Sequence, residues 1–306
     1  MKTAASPVVR QFGTCAAIAL LAAMPAIAAA GSPINKRTAA DPAGTVEISN
    51  TAGSVVVTGW DRNEVEIKGE LGDGTEKLEF TKNEQAKLTR IKVILPNRSY
   101  GVDDTDLVVK VPAGSTLSVN AVSADIVVRG VGGTQRLQTV SGDVRTEASG
   151  EDIECRTVSG DVSIVGSGRK GLVSITTVSG DATATQIAGE INGHTVSGTF
   201  SFGAGETSRS RLRSTSGDIS FAGQLAPDAR IDFENISGDV KLDLKGPVAA
   251  DFDVSTLNGE IRNCFGPKPS RTDEYAPGRE LRFAEGTGSG RVRVKTLNGD
   301  IGLCRK

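Results

Sequence analysis

The six residues Thr157-Val158-Ser159-Gly160-Asp161-Val162 form a phrase that recurs through the second half of the chain. Close copies begin at Thr139, Thr177 and Thr195, and looser copies begin at Ser214, Asn235, Thr256 and Thr296. Their central glycines are Gly142, Gly160, Gly180, Gly198, Gly217, Gly238, Gly259 and Gly299. The intervals between them are 18 to 21 residues, except for the last interval of 40. A period of this length predicts one small structural unit per copy, stacked on its neighbours.

Aligned on these glycines, the copies alternate apolar and polar residues. The position five before the glycine is mostly apolar, with Leu137, Cys155, Ile175, Gly193, Leu212, Phe233, Val254 and Val294. The position two after it is also apolar, with Val144, Val162, Ala182, Phe200, Ile219, Val240, Ile261 and Ile301. Polar residues such as Arg156 and Arg145 stand next to these columns. Alternation with a period of two predicts two short strands per copy, joined at a Ser-Gly-Asp corner.

The sequence predicts an all-β fold, a right-handed parallel β-solenoid of about ten coils. Coils wound in one direction would bury each apolar column continuously, and parallel crossover connections are nearly always right-handed. Upstream, Ala124 occupies the glycine position, and Gly53 marks an earlier copy. An antiparallel β-sandwich is the competing interpretation. A helix does not fit, because the alternation never shifts toward 3.6 residues.

The remaining segments predict the domain organisation. Residues 1–30 carry Lys2 and Arg10 before an apolar run, which is typical of a secretory signal peptide. We expect residues 31–44 to be a flexible leader and residues 45–118 to form an irregular β cap with the first coils. Regular coils should then occupy residues 119–306, with a Pro- and Gly-rich loop inserted at 265–290.

Charge and composition narrow the expected partners and compartment. The chain has 35 basic and 37 acidic residues, so nothing favours binding to nucleic acid. After residue 30 no apolar run is long enough for a transmembrane helix. Together with the predicted signal peptide, this predicts a periplasmic, extracellular or cell-surface protein. With a single histidine, His194, the sequence offers no zinc ligand set, and no cofactor is predicted.

Acidic residues follow most of the corner glycines and are the main candidate for chemistry. They are Asp125, Asp143, Asp161, Asp181, Asp218, Asp239, Glu260 and Asp300, interrupted by Thr199. Stacked about 4.8 Å apart, they could bind Ca²⁺ or supply a pair for glycoside hydrolysis. The interpretation we favour is structural, since short polar side chains beside glycine bond nearby backbone amides at turns.

Other reactive residues receive structural interpretations. His194 lies in an outward polar column, and Cys155 lies in an inward apolar column as an inert thiol. Large amphipathic aromatics that could stack on sugars are few, namely Trp60, Tyr100 and Tyr275. This scarcity argues against a carbohydrate-processing site.

Two further segments, the second of which includes the corner at Gly299, resemble a known family. Leu107-Val-Val-Lys-Val-Pro-Ala-Gly-Ser-Thr-Leu117 and Gly288-Ser-Gly-Arg-Val-Arg-Val-Lys-Thr-Leu-Asn-Gly-Asp-Ile301, together with the Ser-Gly-Asp copies, resemble the bacterial putative-adhesin family, domain-of-unknown-function family 4097. The resemblance covers residues 45–306. It implies a β-solenoid outside the cytoplasm with an adhesin-like role, and it supplies no catalytic residues.

We therefore expect a non-catalytic envelope protein whose surface binds or scaffolds an unknown envelope protein or polysaccharide. The alternative is a polysaccharide-active β-helix enzyme, a lyase or glycoside hydrolase. A cluster of arginine or lysine with acids on one outward face would favour the enzyme. In the sequence, Arg145 and Arg156 alone hint at such a cluster.

Two cysteines occupy the same position of the repeat. Cys264 follows Gly259 by five residues, and Cys304 follows Gly299 by five. In-register parallel strands place such residues about 4.8 Å apart, within the Cα range of a disulfide. The spacing predicts a Cys264–Cys304 bond that clamps the last coil.

Overall fold

The computed structural model describes residues 31–96, 103–147, 149, 151–273 and 277–306. The predicted signal peptide, Tyr100 and Tyr275 lie outside these ranges. Within them the regular structure is all β, which confirms the all-β part of the predicted fold class. The N-terminal strands are β1 (Ser32–Ala39), β2 (Thr45–Trp60), β3 (Glu64–Leu71), β4 (Lys77–Asn83), β5 (Leu88–Ile94), β6 (Thr105–Pro112) and β7 (Thr116–Arg129).

The repeat copies form the remaining strands. They are β8 (Gln135–Gln138), β9 (Val144–Glu147), β10 (Ile153–Arg156), β11 (Val162–Val165), β12 (Lys170–Ser179), β13 (Ala182–Ser197), β14 (Phe200–Ser216), β15 (Ile219–Ser237), β16 (Val240–Leu244), β17 (Ala250–Asn258), β18 (Ile261–Asn263), β19 (Ser270–Arg271), β20 (Arg279–Glu285), β21 (Gly290–Asn298) and β22 (Ile301–Arg305).

Strands of successive copies pair in parallel and in register, in two stacks. We call the strand segments before the corner glycines the first stack, and those after them the second stack. In the first stack Cys155 lies between Leu137 and Ile175. In the second stack Val162 lies between Val144 and Ala182. The long strands β13, β14 and β15 each contribute to both stacks, because their second halves begin the next copy.

The core lies between the two stacks and consists of the apolar columns that the alternation predicted. Leu137, Cys155, Val144 and Val162 are at most 1% exposed. Phe200, next to Gly193, is also fully buried, and a Cβ on that glycine would come within 3.1 Å of its ring. Each such side chain contributes about 1.5–3 kcal/mol through burial of apolar surface.

Two constraints, the backbone angle and the close approach of the neighbouring copy, require glycine at the corners. Gly160 adopts a φ of 152°, in the region that side chains disfavour. A Cβ on Gly160 would also lie 2.1 Å from the carbonyl oxygen of Gly142 in the neighbouring copy. The corners therefore stack backbone on backbone, which fixes the repeat motif at this point.

The order of the last copies in the stack differs from their order in the sequence. Strand β21 pairs in parallel with β15 on one side and with β17 on the other, so Val294 lies between Phe233 and Val254. Strand β22 lies in the same way between β16 and β18. The copy at Gly299 is therefore internal, and the prediction that it is the last coil of the stack was wrong. The 40-residue interval gives the chain enough length to pass back over β17 and insert β21 between β15 and β17.

The same exchange occurs at the N-terminal end. Strand β2 pairs in parallel with β7 on one side and with β5 and β6 on the other, so the earliest copy is internal. Antiparallel strands then cover the stack edges, β4 against β5, β3 against β6 and β20 against β17. Covered edges are protected from pairing with other chains.

Two segments predicted as irregular contain ordered strands. Within residues 31–44, β1 pairs antiparallel with β3. Ile34 is 7% exposed, and the Arg37 guanidinium donates a hydrogen bond to the Glu66 carboxylate. Within 265–290, β20 pairs with β17, and the rings of Phe252 and Phe283 stack 4.6 Å apart. Apolar contacts thus hold both segments, where composition alone suggested a leader and a loop.

Candidate functional site: an arginine cleft on the outer face

The acidic corner residues form a ladder of hydrogen bonds in two runs, from Asp125 to Thr199 and from Asp218 to Glu260. Oδ1 of Asp161 accepts from the backbone amide of Asp181 at 2.9 Å, while the amide of Asp161 donates to Oδ1 of Asp143 at 3.0 Å. The same bond links Asp125 to Asp143, Asp181 to Thr199, Asp218 to Asp239, Asp239 to Asp300, and Asp300 to Glu260. These carboxylates therefore satisfy corner amides. Across the described ranges, no group of three or more His, Cys, Asp or Glu side chains is arranged to hold a metal ion.

The remaining candidates from the sequence also have structural surroundings. His194 is exposed between Thr176 and Arg213. Cys155 is buried, and burial, followed by the nearby Glu154 carboxylate, raises the pKa of its thiol to about 12. Such a thiol is a poor nucleophile.

The aromatic and arginine candidates from the sequence likewise interact with neighbouring residues of the chain. The Trp60 indole donates to the carbonyl of Glu64 at 2.8 Å, and the cations of Arg62 and Lys110 lie 5.2 and 5.5 Å from its ring centroid. Arg145 pairs with Asp143 at 2.8 Å, and Arg156 pairs with Glu154. These two arginines lie in different stacks and do not form a cluster.

Cys264 and Cys304 are joined by a disulfide, with their Cα atoms 4.8 Å apart. The bond links β22, which is internal, to the chain just after the outer strand β18. It therefore ties the outermost copy to its inner neighbour. No helix in the described part of the chain is long and apolar enough to span a membrane.

A cleft of about 310 Å³ opens on the outward face of the first stack, where β14, β15 and β21 lie side by side. We call it the arginine cleft. Its lining residues are Arg211, Arg230, Ile231, Asp232, Ser289, Arg291 and Arg293. A contiguous hollow of about 240 Å³ adds Arg209 and Ser210.

The arginines form two rows that run across the strands. In the first row Arg209 is in register with Arg230, and Arg230 with Arg291. In the second row Arg211 is in register with Asp232, and Asp232 with Arg293. Lateral neighbours in a sheet are about 4.8 Å apart, so the first row holds three adjacent cations.

Ion pairing divides these arginines into two groups. Arg209 lies 3.4 Å from Glu190, Arg211 lies 4.0 Å from Asp232, and Arg293 lies 3.8 Å from Asp253, measured between nitrogen and oxygen. The side chains of Arg230 and Arg291 have no ion pair or hydrogen bond with any residue in the described ranges. The cleft therefore contains two adjacent guanidinium groups that form no ion pair with a described residue.

The exchange of the C-terminal copies creates this pair. The residues eight before the corner glycines are, in chain order, Arg209, Arg230, Asp251 and Arg291. Stacking in chain order would place Asp251 beside Arg230, as a salt-bridging neighbour. The observed register places Arg291 between Arg230 and Asp251, so Asp251 is the lateral neighbour of Arg291, although the two side chains form no ion pair. The arginines of this column are visible in the sequence, and they were the available signal for the cleft.

An apolar stripe also crosses the outer face, two residues before each corner. Its members are 42–50% exposed and are Val122, Val140, Val158, Val178, Val196, Ile236, Leu297 and Leu257, with Thr215 as the polar exception. Lateral β-branched neighbours in a sheet stabilise its strand pairing. The stripe therefore has a structural reason to be apolar within the stack itself.

These features define an all-β repeat protein with stacked parallel strands and a cationic cleft. Residues 41–303 match the model of the family described as Toastrack DUF4097, and the chain belongs to this family. The resemblance found in the sequence is thereby confirmed. No curated protein matches the chain.

Three solved structures are similar to the chain at low identity. A putative lipid binding protein from Parabacteroides distasonis has 12% identity and a TM-score of 0.47, over 89% of this chain and 97% of that one. A putative adhesin from Bacteroides fragilis has 9% identity and a TM-score of 0.32, over 89% and 96%. A putative adhesin from Parabacteroides merdae has 10% identity and a TM-score of 0.31, over 89% and 97%.

Proposed function

We propose that the chain is a non-catalytic protein of the cell envelope that binds an anionic envelope component through the arginine cleft. The observation that carries this proposal is the pair of adjacent cations, Arg230 and Arg291, which lie in an open cleft and form no ion pair with a described residue. Guanidinium groups present paired donors that match carboxylate and phosphate oxygens. Because these two cations have no ion-pair partner within the chain, they are available to bind an anionic ligand.

The same proposal includes the finer features expected from the sequence. We infer that the two stacks wind as a right-handed β-solenoid and that the chain is exported to the periplasm or the cell surface. The parallel in-register pairing, the signal-like N-terminus and the disulfide support this. Disulfides persist in oxidising compartments outside the cytoplasm.

The absence of catalysis is part of the proposal. The carboxylates of the corner ladder already accept backbone amides, Cys155 is a buried thiol of raised pKa, and exposed His194 has no carboxylate as a lateral neighbour. Side chains that are already hydrogen-bonded to the backbone, or buried, are poor candidates for acid-base or nucleophilic catalysis.

Co-sedimentation with isolated envelope fractions tests binding. The exported chain should sediment with the fraction that carries its ligand at low salt and dissociate at high salt, because exposed charges are screened. The double variant Arg230→Gln/Arg291→Gln should lose this association. The control Arg129→Gln/Arg271→Gln removes two other exposed arginines that have no ion pair with described residues, and should keep it. Equal binding by both variants would contradict the proposal.

One observation supports the enzyme as a second candidate. The cleft places Asp232 among Arg211, Arg230 and Arg293, which is the cluster of cations and an acid on one outward face that favours a polysaccharide-active enzyme. Incubation with envelope polysaccharides distinguishes the two. Release of reducing or unsaturated ends that is abolished by Asp232→Asn would establish the enzyme and contradict the non-catalytic proposal.

A further inference from the structure

We propose that the arginine cleft is selective for a phosphomonoester dianion, bound between Arg230 and Arg291. This inference rests on the proposed function for the cleft but specifies its ligand chemistry. Arg230 and Arg291 would contact the ligand, and Arg209, Arg211 and Arg293 line the cleft around it.

Charge matching gives the ligand two negative charges. Arg209, Arg211 and Arg293 each face a carboxylate within 4.0 Å. Arg230 and Arg291 form no ion pair with a described residue, even though Asp251 is in register with Arg291, so the cleft has two guanidinium charges that a ligand can neutralise. A singly charged ligand would leave one of them unpaired.

The geometry places both charges on one ligand group. Arg230 and Arg291 are lateral neighbours in register, with Cα atoms about 4.8 Å apart. Two arginines this close can both direct their planar guanidinium groups at one tetrahedral group, whose oxygens accept bidentate hydrogen bonds. Ser289, also in the lining, supplies a hydroxyl that can donate to a remaining oxygen.

Among common ester-bound oxyanions, the phosphomonoester fits these two charges. It carries about −1.5 to −2 charges at neutral pH. A sulfate monoester, a phosphodiester or a single carboxylate carries one charge. The cavity of about 310 Å³ is larger than a phosphate group, which leaves room for the alcohol part of the ester beside it.

Binding of a dianion would also account for the two like charges of Arg230 and Arg291 lying side by side. Adjacent exposed cations repel each other, so Arg230 and Arg291 do not stabilise the unliganded fold. Replacing either one with glutamine should leave the thermal midpoint unchanged or slightly raised. A structural arginine would give the opposite result, a lower midpoint.

Calorimetric titration at pH 7.5 with glycerol phosphate, glycerol sulfate and acetate at equal ionic strength tests the ligand class. Glycerol phosphate should bind at least about tenfold more tightly than either monoanion, since one more charge-assisted contact is made. Arg230→Gln and Arg291→Gln should each weaken that binding by about tenfold or more. Arg230→Lys, which keeps the charge but not the fork, should fall between them and the native chain. Arg129→Gln should bind as the native chain does.

Equal affinity for glycerol phosphate and glycerol sulfate would overturn the inference, as would binding that Arg230→Gln and Arg291→Gln leave unchanged. Vesicles then identify the source of the phosphate. Retention on phosphatidylcholine vesicles containing phosphatidic acid, but not on those containing phosphatidylglycerol, supports a lipid phosphomonoester. Binding of glycerol phosphate without retention on either supports a soluble or glycan-borne phosphomonoester.

These results separate the inference from the proposed function. Envelope sedimentation that depends on Arg230 and Arg291, without preference for glycerol phosphate, would retain the function and reject the phosphomonoester. Selective binding of glycerol phosphate without envelope sedimentation would retain the inference and reject the function.

Discussion

The backbone amide of Glu260 donates to Oδ1 of Asp300 at 2.9 Å, although Asp300 follows Glu260 by 40 residues. The amide of Asp300 in turn donates to Oδ1 of Asp239 at 2.8 Å. The corner ladder therefore runs in the order Asp239, Asp300, Glu260, which is the order of the stack and not of the sequence. The last copy is inserted between two earlier ones.

Loss of the disulfide should destabilise the outermost copy more than the internal one. The Cys264–Cys304 bond closes a loop of 40 residues, which corresponds to about 4 kcal/mol in the chain-entropy model. Strand β22 is also held by pairing on both sides, whereas β18 pairs with β22 alone among the described strands. In Cys264→Ser/Cys304→Ser, amide hydrogen exchange should accelerate first in β17 and β18. Uniform acceleration throughout the chain would contradict this order.

The repeat columns were sufficient to predict the core but not the order of the copies. Leu137 and Val162 alternate with polar neighbours, so their burial follows from local sequence. The exchange of β21 with β17 depends on a long connection, because the 40-residue interval permits either stacking order. Lateral partners such as Arg230 and Arg291 therefore require the three-dimensional structure.

Gly160→Ala should be strongly destabilising. Its φ of 152° disfavours a side chain, and a Cβ would lie 2.1 Å from the Gly142 carbonyl oxygen. We expect a loss of about 3 kcal/mol in the free energy of unfolding, measured by urea denaturation. The matched control is Gly302→Ala in β22, where a Cβ would meet no atom within 4 Å. It should be neutral or slightly stabilising. Similar losses in both variants would exclude the corner as the cause.

The corner carboxylates should act as hydrogen-bond acceptors and not as calcium ligands. Asp161→Asn retains an Oδ1 acceptor for the Asp181 amide and removes repulsion from neighbouring acids, so it should melt at or above the native temperature. Asp161→Ala should lose about 1 kcal/mol, because the amide loses its partner. Chelator should leave the melting temperature of the native chain unchanged. A fall of about ten degrees or more would indicate a structural ion.

The site was harder to predict than the fold for an electrostatic reason. The sequence shows that Arg230 and Asp251 occupy equivalent positions of consecutive copies, which suggests a compensated pair. The structure inserts Arg291 between them. Whether a column of charges is neutral or cationic depends on lateral neighbours, and local alternation carries no information about them.

Thr177→Val should stabilise the chain. Thr177 is 1% exposed, and its Oγ1 has no hydrogen-bond partner in the described ranges. Replacing a buried, unpaired hydroxyl with a methyl group of similar size should raise the free energy of unfolding by about 1 kcal/mol. At the equivalent position Thr256, Oγ1 donates to the carbonyl of Gly299 at 2.9 Å. Thr256→Val should therefore lose about 1 kcal/mol. Chemical denaturation of both variants checks the difference, and equal changes would refute it.

Acid should weaken the fold partly through Asp243. Burial raises the pKa of this carboxyl, but the Lys306 ammonium at 2.5 Å and Lys241 at 3.5 Å lower it more, so its net pKa lies below the ordinary 3.8. A lowered folded-state pKa contributes stability that is fully present above the unfolded-state value. That stability is lost as the pH falls through the folded-state value. The contribution should therefore be complete at pH 6 and decline below about pH 4.

Removing the Lys306 cation should test whether Asp243 contributes to the pH dependence of stability. Lys306→Gln should lose about 1 kcal/mol at pH 6, since the partly exposed pair is screened by solvent, and the loss should shrink as Asp243 becomes protonated below about pH 4. Lys245 is exposed in the adjoining segment and has no side-chain partner among the described residues, so Lys245→Gln is the matched control. It should follow the native curve at every pH. Urea denaturation from pH 2.5 to 7 provides the measurement. A deficit in Lys306→Gln that stays constant over this range would show that Asp243 does not carry the effect.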